Sequence, residues 1–539
     1  MRAAVKAVCA LAAALVLSGC PGRQTPADAG ALSGTLIMGN AADPATLDPT
    51  LATGLAESKI LSALFEGLVT ADTKTLEILP AAAESWTKDG LKYRFKIRAA
   101  AKWSDGEPLK ASDFVFAFRR ILDPAIGAEY SNFLFPLKNA EKVLRGEVPP
   151  SELGARAVSE SELEIELERP CPHFLSLLYH PAYFPLPEHA ISRLGARDRR
   201  DGIWMRPENA VSNGPFTLEK WRINDRVRAV KNPGYWDAGN VFLNAVEFIP
   251  ISNINTEDRA FRAGQLHMTE SVAPVRLEAV RRARPDSLRI SDWLGVYYYS
   301  LNTARPPLDD PRVRRALSMS IRRGDIISNF LRAGQKPALS FVPEASQEGY
   351  SCPEKASEDV GEARRLLAEA GYPGGKGFPK ISITYNTSEQ HRPIAEAVQA
   401  MWRENLGIDV ELYNVSWPAY LDIRRRRDFF ITRSSWVADY ASPESFLSTM
   451  TSSSGLNHSQ WKSEKFDALM EEAAAAEGEA SARAFALAEA EIIRDAALIP
   501  VYFYSRVFLI DPRVSGWHQN PLDYHNYKGV GFRARGGGK

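Results

Sequence analysis

The chain has 539 residues, more than one hydrophobic core usually serves, so its length predicts two or three lobes. Its 66 basic residues balance 66 acidic ones, and hydrophobic residues make up 45% of the composition. This is the composition of an ordinary folded protein, and without a large field of one sign it argues against nucleic acid as a partner.

The N-terminus has the pattern of an export signal. Two basic residues open it, residues 8–17 are nearly all apolar, and the motif LSGC ends at Cys20. The apolar run is too short to span a membrane, so we predict a signal peptide over residues 1–19. The final cysteine resembles the bacterial lipobox. We therefore expect cleavage before Cys20 and acyl chains, such as palmitate, that anchor the protein to a membrane, with plain secretion as the alternative.

The stretch after Cys20 is rich in Pro, Gly, Ala, Thr and Ser and shows no apolar period. This composition predicts a flexible tether over residues 20–31. We expect the folded part of the chain to begin near Thr35.

Beyond Cys20, two cysteines remain in the mature chain, Cys171 and Cys352. Export would permit a disulfide between them, but two cysteines do not establish its geometry, so their pairing stays open. They are too few for a thiolate zinc site, and no His-Glu-x-x-His helix is present. We predict no metal and no other cofactor.

Strand and helix patterns alternate through the rest of the chain. Apolar and charged residues alternate over 92–98 and over 163–168, which predicts two half-exposed strands. Apolar residues recur at helical spacing over 363–370 and 466–473, and a further helix should run to about Ala496. No later stretch is long enough to span a membrane. With no internal repeat, the order of elements predicts an α/β protein of several lobes.

Short motifs follow one another in a fixed order along this α/β region. The first are AESW (83–86), YRF (93–95), KWSDG (102–106), ASDF (111–114), NGPF (213–216) and NPGYW (232–236). Later ones are YYY (297–299), DPRVRRAL (310–317), YNTS (385–388), WVADY (436–440) and IPVY (499–502). By their order and spacing, from about residue 36 to the C-terminus, the chain resembles the peptide- and nickel-binding family of ABC-importer solute-binding proteins.

Within that family, the segment RSSWVADY at 433–440 is similar to the one that grips a peptide in the oligopeptide-binding branch. The resemblance implies an α/β fold of the periplasmic-binding-protein type, with two lobes that close about a hinge. It also implies three domains: domain I from 32–65, 191–294 and 506–539, domain II from 66–190, and domain III from 295–505. The protein would be a monomer and not an enzyme, with an oligopeptide ligand and importer permease subunits as partners on the extracytoplasmic face.

The resemblance assigns Asp439 to the terminal ammonium of the ligand, a charge-assisted contact that contributes about 1.5 to 3 kcal/mol. From the sequence alone, an aspartate in a turn or a helix cap is the alternative. Ser435 and Val437 should pair their backbone groups with an extended ligand. Thr53 and Leu55 match a second backbone-gripping segment, for which a plain loop is an equal alternative.

Other side chains match positions that surround the ligand in the family. The pocket-lining matches, for which core packing is the alternative, are Trp417, Trp436, Leu421, Tyr130 and Tyr298. The positive groups that should meet the ligand carboxylate are Arg433, Arg332 and His391, with Arg424 nearby. Arg424 opens a run of four arginines, of which the other three should be solvated surface. Asn386 should bridge ligand and water, or else form an Asx turn.

The chain departs from its branch at several places. Gly295 and Val437 stand where several relatives have a cystine, Ser300 replaces an acidic pocket residue, and Glu270 replaces an uncharged one. Preference for charged ligand side chains is therefore not carried over. The alternative function is a binding protein of this family for another solute, such as a nickel chelate, haem, an oligosaccharide or a signalling peptide. A secreted hydrolase is the third, although no Gly-x-Ser-x-Gly elbow is present.

Overall fold

The computed structural model describes residues 24–533 except 172, 348, 389 and 477. The predicted signal peptide and Cys20 lie outside the described residues. The strands are β1 Thr35–Gly39, β2 Val69–Ala71, β3 Ile78–Pro80, β4 Ala83–Asp89, β5 Lys92–Ile97, β6 Ala155–Ala157, β7 Glu162–Glu166, β8 Phe216–Arg222, β9 Arg226–Lys231, β10 Ala245–Ile249, β11 Leu288–Leu301, β12 Lys336–Pro337, β13 Ile381–Asn386, β14 Val410–Val415, β15 Ile431–Val437, β16 Leu498–Leu509, β17 Val514–Ser515 and β18 Gly531–Phe532.

Helices connect these strands throughout the chain. They are α1 Pro26–Ser33, α2 Leu55–Leu64, α3 Ala111–Ile121, α4 Ala140–Leu144, α5 Phe174–Leu177, α6 Glu188–Arg193, α7 Ile254–Arg262, α8 Leu277–Ala283, α9 Pro311–Met319, α10 Arg323–Ile326, α11 Val360–Glu369, α12 His391–Leu406, α13 Trp417–Arg426, α14 Glu444–Leu447, α15 Glu464–Ala475 and α16 Gly478–Arg494. Two 3₁₀ segments also matter for the site, Glu129–Leu134 and Pro181–Tyr183. No described helix is both long and apolar enough to cross a membrane.

Three larger sheets organise the molecule. Two have four strands each, in the orders β1-β10-β9-β8 and β4-β5-β7-β6, and the third has six, in the order β12-β16-β11-β15-β13-β14. One continuous core packs beneath both four-stranded sheets, so we treat them together as the first lobe, residues 24–294 and 506–533. Separate cores cover the six-stranded sheet, which defines the second lobe, residues 295–505. The three-domain boundaries stay a prediction.

Two long strands, β11 and β16, join the lobes. They pair antiparallel from Leu288 and Leu509 in the first lobe to Ser300 and Leu498 in the second. Their ladder is irregular between Asp292 and Val296, where the chain passes from one lobe to the other. An interrupted ladder bends more easily than a regular one, so we expect the hinge at this point.

The predicted strands and helices are confirmed, with one difference in burial. Strand β5 alternates exposed and buried residues as predicted. In β7, the outward-facing Glu164 is only 4% exposed, because Arg94 and Arg156 cover it with ion pairs of 2.9 and 2.7 Å. Cross-strand charge pairing therefore buried a residue that alternation alone places in solvent.

The predicted tether is wrong over residues 26–31, which belong to α1. Thr25 caps this helix, since its hydroxyl accepts a hydrogen bond from the Asp28 amide at 3.1 Å. Pro26 stands at the first helical position, where its missing N–H is harmless. Asp28 also forms an ion pair of 2.7 Å with Arg513. The composition concealed a capping box and a tertiary contact that together hold the segment on the first lobe.

Cys171 and Cys352 are both free thiols. Cys171 belongs to the first lobe, whereas Cys352 is buried beside Ala490 and Ile493 in the second. The disulfide that the sequence left open is therefore not formed in this structure.

Candidate functional site

A cavity of about 660 Å³ lies between the two lobes, beside the expected hinge. The second lobe contributes the end of β13, the starts of α12 and α13, and the strand β15 with the residues after it. The first lobe contributes the segments 40–43, 52–59, 129–130, 180–181, 223–224, 250–257 and 270–274. The cavity is large enough for a ligand of several residues, and both lobes would touch it.

Buried polar atoms without a hydrogen-bond partner concentrate in this wall. Within the described part of the chain they include Trp293 Nε1, His391 Nδ1, Arg424 Nε, Arg433 Nε, Trp436 Nε1 and Asp439 Oδ2. Leaving such a group unpaired costs about 1 to 3 kcal/mol, so folded proteins normally avoid it. Their accumulation around one cavity indicates a surface whose bonds a ligand completes.

Asp439 follows β15 and its side chain is 14% exposed in the cavity wall. Its Oδ1 lies 3.3 Å from His180 Nε2, while its Oδ2 is buried and has no partner. Its backbone amide donates to Ser445 Oγ at 2.9 Å, and the side chain caps no described helix, since α14 has Pro443 at its N-cap. A buried carboxylate oxygen in this state is a strong acceptor for a cation.

Aromatic rings surround this carboxylate. The ring of Tyr130 lies 4.8 Å from that of His180 and 6.1 Å from that of Trp436. Burial, with the negative charges of Asp439 and Glu129, raises the pKa of Tyr130 well above its ordinary value. The phenol therefore stays protonated and brings no charge to the surroundings of Asp439.

Three histidine–carboxylate contacts cross between the lobes in this region. Each pairs a residue of the first lobe with one of the second: His180 with Asp439 at 3.3 Å, His173 with Glu444 at 2.9 Å, and Glu129 with His458 at 3.2 Å. Because the members of each pair belong to different lobes, these contacts exist only while the lobes are together.

Arg433 occupies another part of the wall and is 8% exposed. Its guanidinium donates to Tyr504 Oη at 2.7 Å and to Asn386 Oδ1 at 3.5 Å, and lies 4.9 Å from the ring centre of Tyr297. Among the described residues no carboxylate pairs with it. A buried cation without a counter-ion is costly, so this position fits an anionic group of a ligand.

The other predicted cationic positions differ from one another. Arg424 lines the cavity, and its guanidinium lies 5.6 Å from the ring centre of Tyr420. His391 also lines it, but burial, followed by the charge of Arg433, lowers the pKa of His391 well below its usual range, so the ring is neutral. The expectation of a positive charge at His391 is therefore corrected. Arg332 is exposed, donates to Ser328 O at 2.8 Å and is not part of the wall. The three arginines after Arg424 are exposed, as predicted.

Strand β15 presents an open edge to the cavity. It pairs with β11 along its whole length, but with β13 only at Ile431 and Thr432. Ala438 N donates to Leu294 O, so the even-numbered residues of this strand bond towards β11 and the odd-numbered ones face the other way. The backbone groups of Ser435 and Val437 therefore lie on the unpaired edge, where an extended ligand could add as a further strand.

Most of the remaining predicted residues also line the cavity. They are Trp417, Leu421, Asn386, Thr53 and Leu55. Tyr298 does not: it is buried against Phe341, with ring centres 5.1 Å apart, in a core beside the six-stranded sheet. For Tyr298 the alternative of core packing is the one that the structure shows.

The residues at which this chain departs from the oligopeptide-binding branch lie in different parts of the structure. Gly295 and Val437 are directly opposite each other on β11 and β15, and a Cβ at position 295 would lie 3.1 Å from Val437 Cγ2. Ser300 is buried on β11 and outside the cavity wall. Glu270 lies in the wall and forms ion pairs with Lys59 and, at 3.4 Å, with Arg506. These two partners already neutralise the carboxylate of Glu270.

Sequence reasoning missed His180, Trp293 and the ion cluster around Arg506. Arg506 lies in the wall near the hinge, donates to Asp523 Oδ2 at 2.8 Å and lies 5.4 Å from the ring centre of Trp293. Burial raises the pKa of the neighbouring Glu257 to about 8, so this carboxyl is largely protonated at neutral pH. Of this group, the sequence pointed only to Glu270, as a residue that differs from its counterparts in relatives.

Comparison with known proteins places this geometry among binding proteins. Residues 77–458 match the family model described as bacterial extracellular solute-binding proteins, family 5 Middle. The periplasmic oligopeptide-binding protein OppA of Escherichia coli K12 is 36% identical over 504 residues, 91% of each chain. The crystal structure of Haemophilus influenzae OppA in complex with RPPGFSPFR superposes with a TM-score of 0.88 at 33% identity, covering 93% of this chain and 99% of that one.

The same comparison distinguishes two lobe arrangements. An unliganded open form of MppA, a periplasmic murein tripeptide binding protein, is also 33% identical and covers 93% of this chain and 97% of that one, but its TM-score is only 0.62. Since identity and coverage hardly change, the lower score reflects the placement of the lobes. The lobes of this chain are arranged as in the OppA complex rather than as in that open form.

Proposed function

The chain belongs to family 5 of the bacterial extracellular solute-binding proteins, and on that basis we propose that it captures oligopeptides between its lobes and delivers them to an ABC importer. Its fold is the two-lobed α/β arrangement of periplasmic binding proteins. In this proposal the protein binds its ligand without changing it, so it is not an enzyme. Closure of the lobes about the β11–β16 hinge encloses the peptide.

The observation that carries the proposal is the unpartnered Oδ2 of Asp439 beside the open edge of β15. A peptide has what this wall lacks: an ammonium group at its start and N–H and C=O groups along its length. The ammonium would meet Asp439, and the backbone would pair with the edge at Ser435 and Val437. A solute without an ammonium group would leave Oδ2 of this carboxylate buried and without a partner.

The same arrangement explains a broad choice of peptides. Main-chain pairing ignores side-chain identity, and the apolar faces of Trp417, Trp436 and Leu421 accept varied side chains, with water bridging the remaining gaps. Arg433, with Arg424 also in the wall, would neutralise the carboxylate at the far end of the ligand. Two cations in one wall would allow peptides of more than one length.

We further propose that acylated Cys20 anchors the protein to a membrane on the extracytoplasmic side. Cys20 lies five positions before Thr25, the cap of α1, and five residue steps reach at most about 18 Å. Because α1 is held on the first lobe, the anchor would keep that lobe close to the membrane surface. Mass spectrometry of the N-terminal peptide should show a lipid-modified cysteine, and a Cys20→Ser variant should be released from membranes. An unmodified N-terminus beginning elsewhere contradicts the anchor.

The peptide assignment is tested by comparing ligands that differ only at the amino end. Isothermal titration calorimetry should give much weaker binding for an N-acetylated tripeptide than for the same tripeptide with a free amine. Native mass spectrometry of protein purified from its host should show a heterogeneous set of peptides. Equal binding of both tripeptides, or a single non-peptide solute in the cavity, would contradict the proposal.

A further inference from the structure

His180 contacts the carboxylate of Asp439 from the opposite lobe. It is the N-cap of the 3₁₀ segment Pro181–Tyr183 in the first lobe, and its Nε2 lies 3.3 Å from Asp439 Oδ1 in the second. The side chains of both residues are nearly buried, at 13% and 14% exposure. No motif of the sequence pointed to this histidine.

The protonation pattern of the ring follows from its other nitrogen. His180 Nδ1 accepts a hydrogen bond from the Ala182 amide at 3.2 Å. An imidazole nitrogen that accepts a backbone N–H carries no hydrogen, so in the neutral ring the hydrogen is on Nε2. The nitrogen that carries the hydrogen, Nε2, therefore lies 3.3 Å from Asp439 Oδ1, within reach of a hydrogen bond to that oxygen.

Packing fixes the direction of this donor. The ring of His180 packs against those of Tyr130 and Phe133, at 4.8 and 4.6 Å between centres, and these two rings are themselves 4.8 Å apart. On the other side, Ser445 holds the backbone amide of Asp439. With Oδ1 facing His180, only Oδ2 remains for a ligand, and it is the oxygen that has no partner.

We propose that His180 is a positioning residue that makes recognition of the ligand's amino end depend on closure of the lobes. When the lobes close, its Nε2–H engages Asp439 Oδ1, sets the plane of the carboxylate and presents Oδ2 to a single primary ammonium group. In the open protein the carboxylate lacks this partner and turns freely, so it offers no fixed acceptor. This inference rests on the proposed function and adds to it the residue that orients the ammonium site.

The test separates orientation of the carboxylate from simple packing. His180→Phe keeps a flat ring against Tyr130 and Phe133 but removes the donor, whereas His180→Gln retains an N–H₂ group of comparable reach. For each variant and for the wild type, calorimetry gives the ratio of the dissociation constants of an N-acetylated tripeptide and its free-amine form. His189→Gln, which alters a partly exposed histidine paired with Asp105 within the first lobe, is the matched control.

We expect His180→Phe to reduce this ratio about tenfold, the typical worth of one charge-assisted contact, by weakening the free-amine peptide alone. His180→Gln should restore part of the ratio, and the control should leave it unchanged. An equal loss for both peptides would mean that His180 only packs, and an unchanged ratio in His180→Phe would also overturn the inference. A wild-type ratio near one would instead refute the ammonium assignment itself, and with it this inference.

A second measurement uses the wild-type protein, so it does not depend on whether a variant folds. Nitrogen-15 NMR of histidine-labelled wild-type protein with a bound free-amine tripeptide should show His180 as the neutral ring with its hydrogen on Nε2. A hydrogen on Nδ1 contradicts the proposed donor.

Discussion

The two ends of the cavity are built in different ways. At the Asp439 end the carboxylate lies in the second lobe, while His180 and Tyr130, which surround it, belong to the first. At the Arg433 end the contacts come from Tyr504, Asn386 and Tyr297, all in the second lobe.

The difference implies an order of events. The proposed site for the ligand's carboxylate and the open edge of β15 would exist before closure, because one lobe supplies them. The proposed ammonium site would be complete only after the lobes meet. A peptide would therefore dock first on the second lobe, and its free amino end would then decide whether the closed state is stable.

The largest effect on peptide affinity is expected from neutralising Asp439, at the end of the cavity to which both lobes contribute. Asp439→Asn should weaken free-amine peptides by about 2 to 5 kcal/mol, the range for truncating one member of a buried charge pair. Calorimetry with free-amine and N-acetylated peptides measures it, and only the former should lose affinity. Asp422→Asn, which changes a half-exposed carboxylate in the same lobe, is the control. An unchanged affinity for free-amine peptides would remove Asp439 from its assigned role.

A smaller effect on peptide affinity is expected at the Arg433 end of the cavity, to which only the second lobe contributes. Arg433→Met should weaken peptides with a free carboxylate by about 1.5 to 3 kcal/mol, because Arg424 in the same wall compensates in part. Peptides with a C-terminal amide should lose much less, and Arg426→Met, an exposed arginine, should change neither class. Equal losses for acid and amide would show that Arg433 supports the wall rather than the ligand's charge.

The contacts between the lobes predict a dependence on pH. Although burial opposes it, the carboxylate of Glu444 raises the pKa of His173 to about 10, from an ordinary 6.5. Because the folded-state pKa is raised, this pair stabilises the protein fully below about pH 6.5 and loses its effect as the pH rises through about 10. His173→Gln should therefore cost about 1 to 2 kcal/mol of unfolding free energy at pH 6 and much less at pH 10.5.

Urea unfolding at both pH values measures this difference. Cys171 Sγ lies 3.4 Å from His173 Nε2, Tyr440 stacks on the ring, and Arg169 acts on Glu444. The comparison is therefore made in a Cys171→Ser background, in which the thiol is no longer a partner of His173. His189→Gln serves as the control. A cost that is the same at both pH values would mean that the pair is not ionised as described.

The smallest effect is expected where only the backbone acts. Ser435→Ala should change peptide affinity by less than about 0.5 kcal/mol, since the strand edge is kept. By contrast, a ligand N-methylated at an amide that pairs with this edge should lose about 1 kcal/mol, one net hydrogen bond. A large loss in Ser435→Ala would show that its hydroxyl, not the main chain, binds the ligand.

How much of this site was predictable follows from where its residues stand in the chain. Arg433, Ser435, Val437 and Asp439 lie in one short segment, and the period of a strand already places them on related faces. Motif spacing was therefore enough to find them. Tyr298 carried as strong a motif, yet it packs in a core, because which face of β11 meets the cavity depends on the neighbouring strands.

The sequence by itself determined the α/β class, the family resemblance and the segment that holds Asp439, because each depends on residues close together in the chain. Tertiary structure alone decided that His180 would face Asp439, that Arg332 would lie outside the wall and that residues 26–33 would fold as a helix against Arg513. Those outcomes depend on contacts between distant segments, and local periodicity carries no information about which distant side chain arrives. The contacts between the two lobes are of this kind, because they join segments that are far apart in the chain.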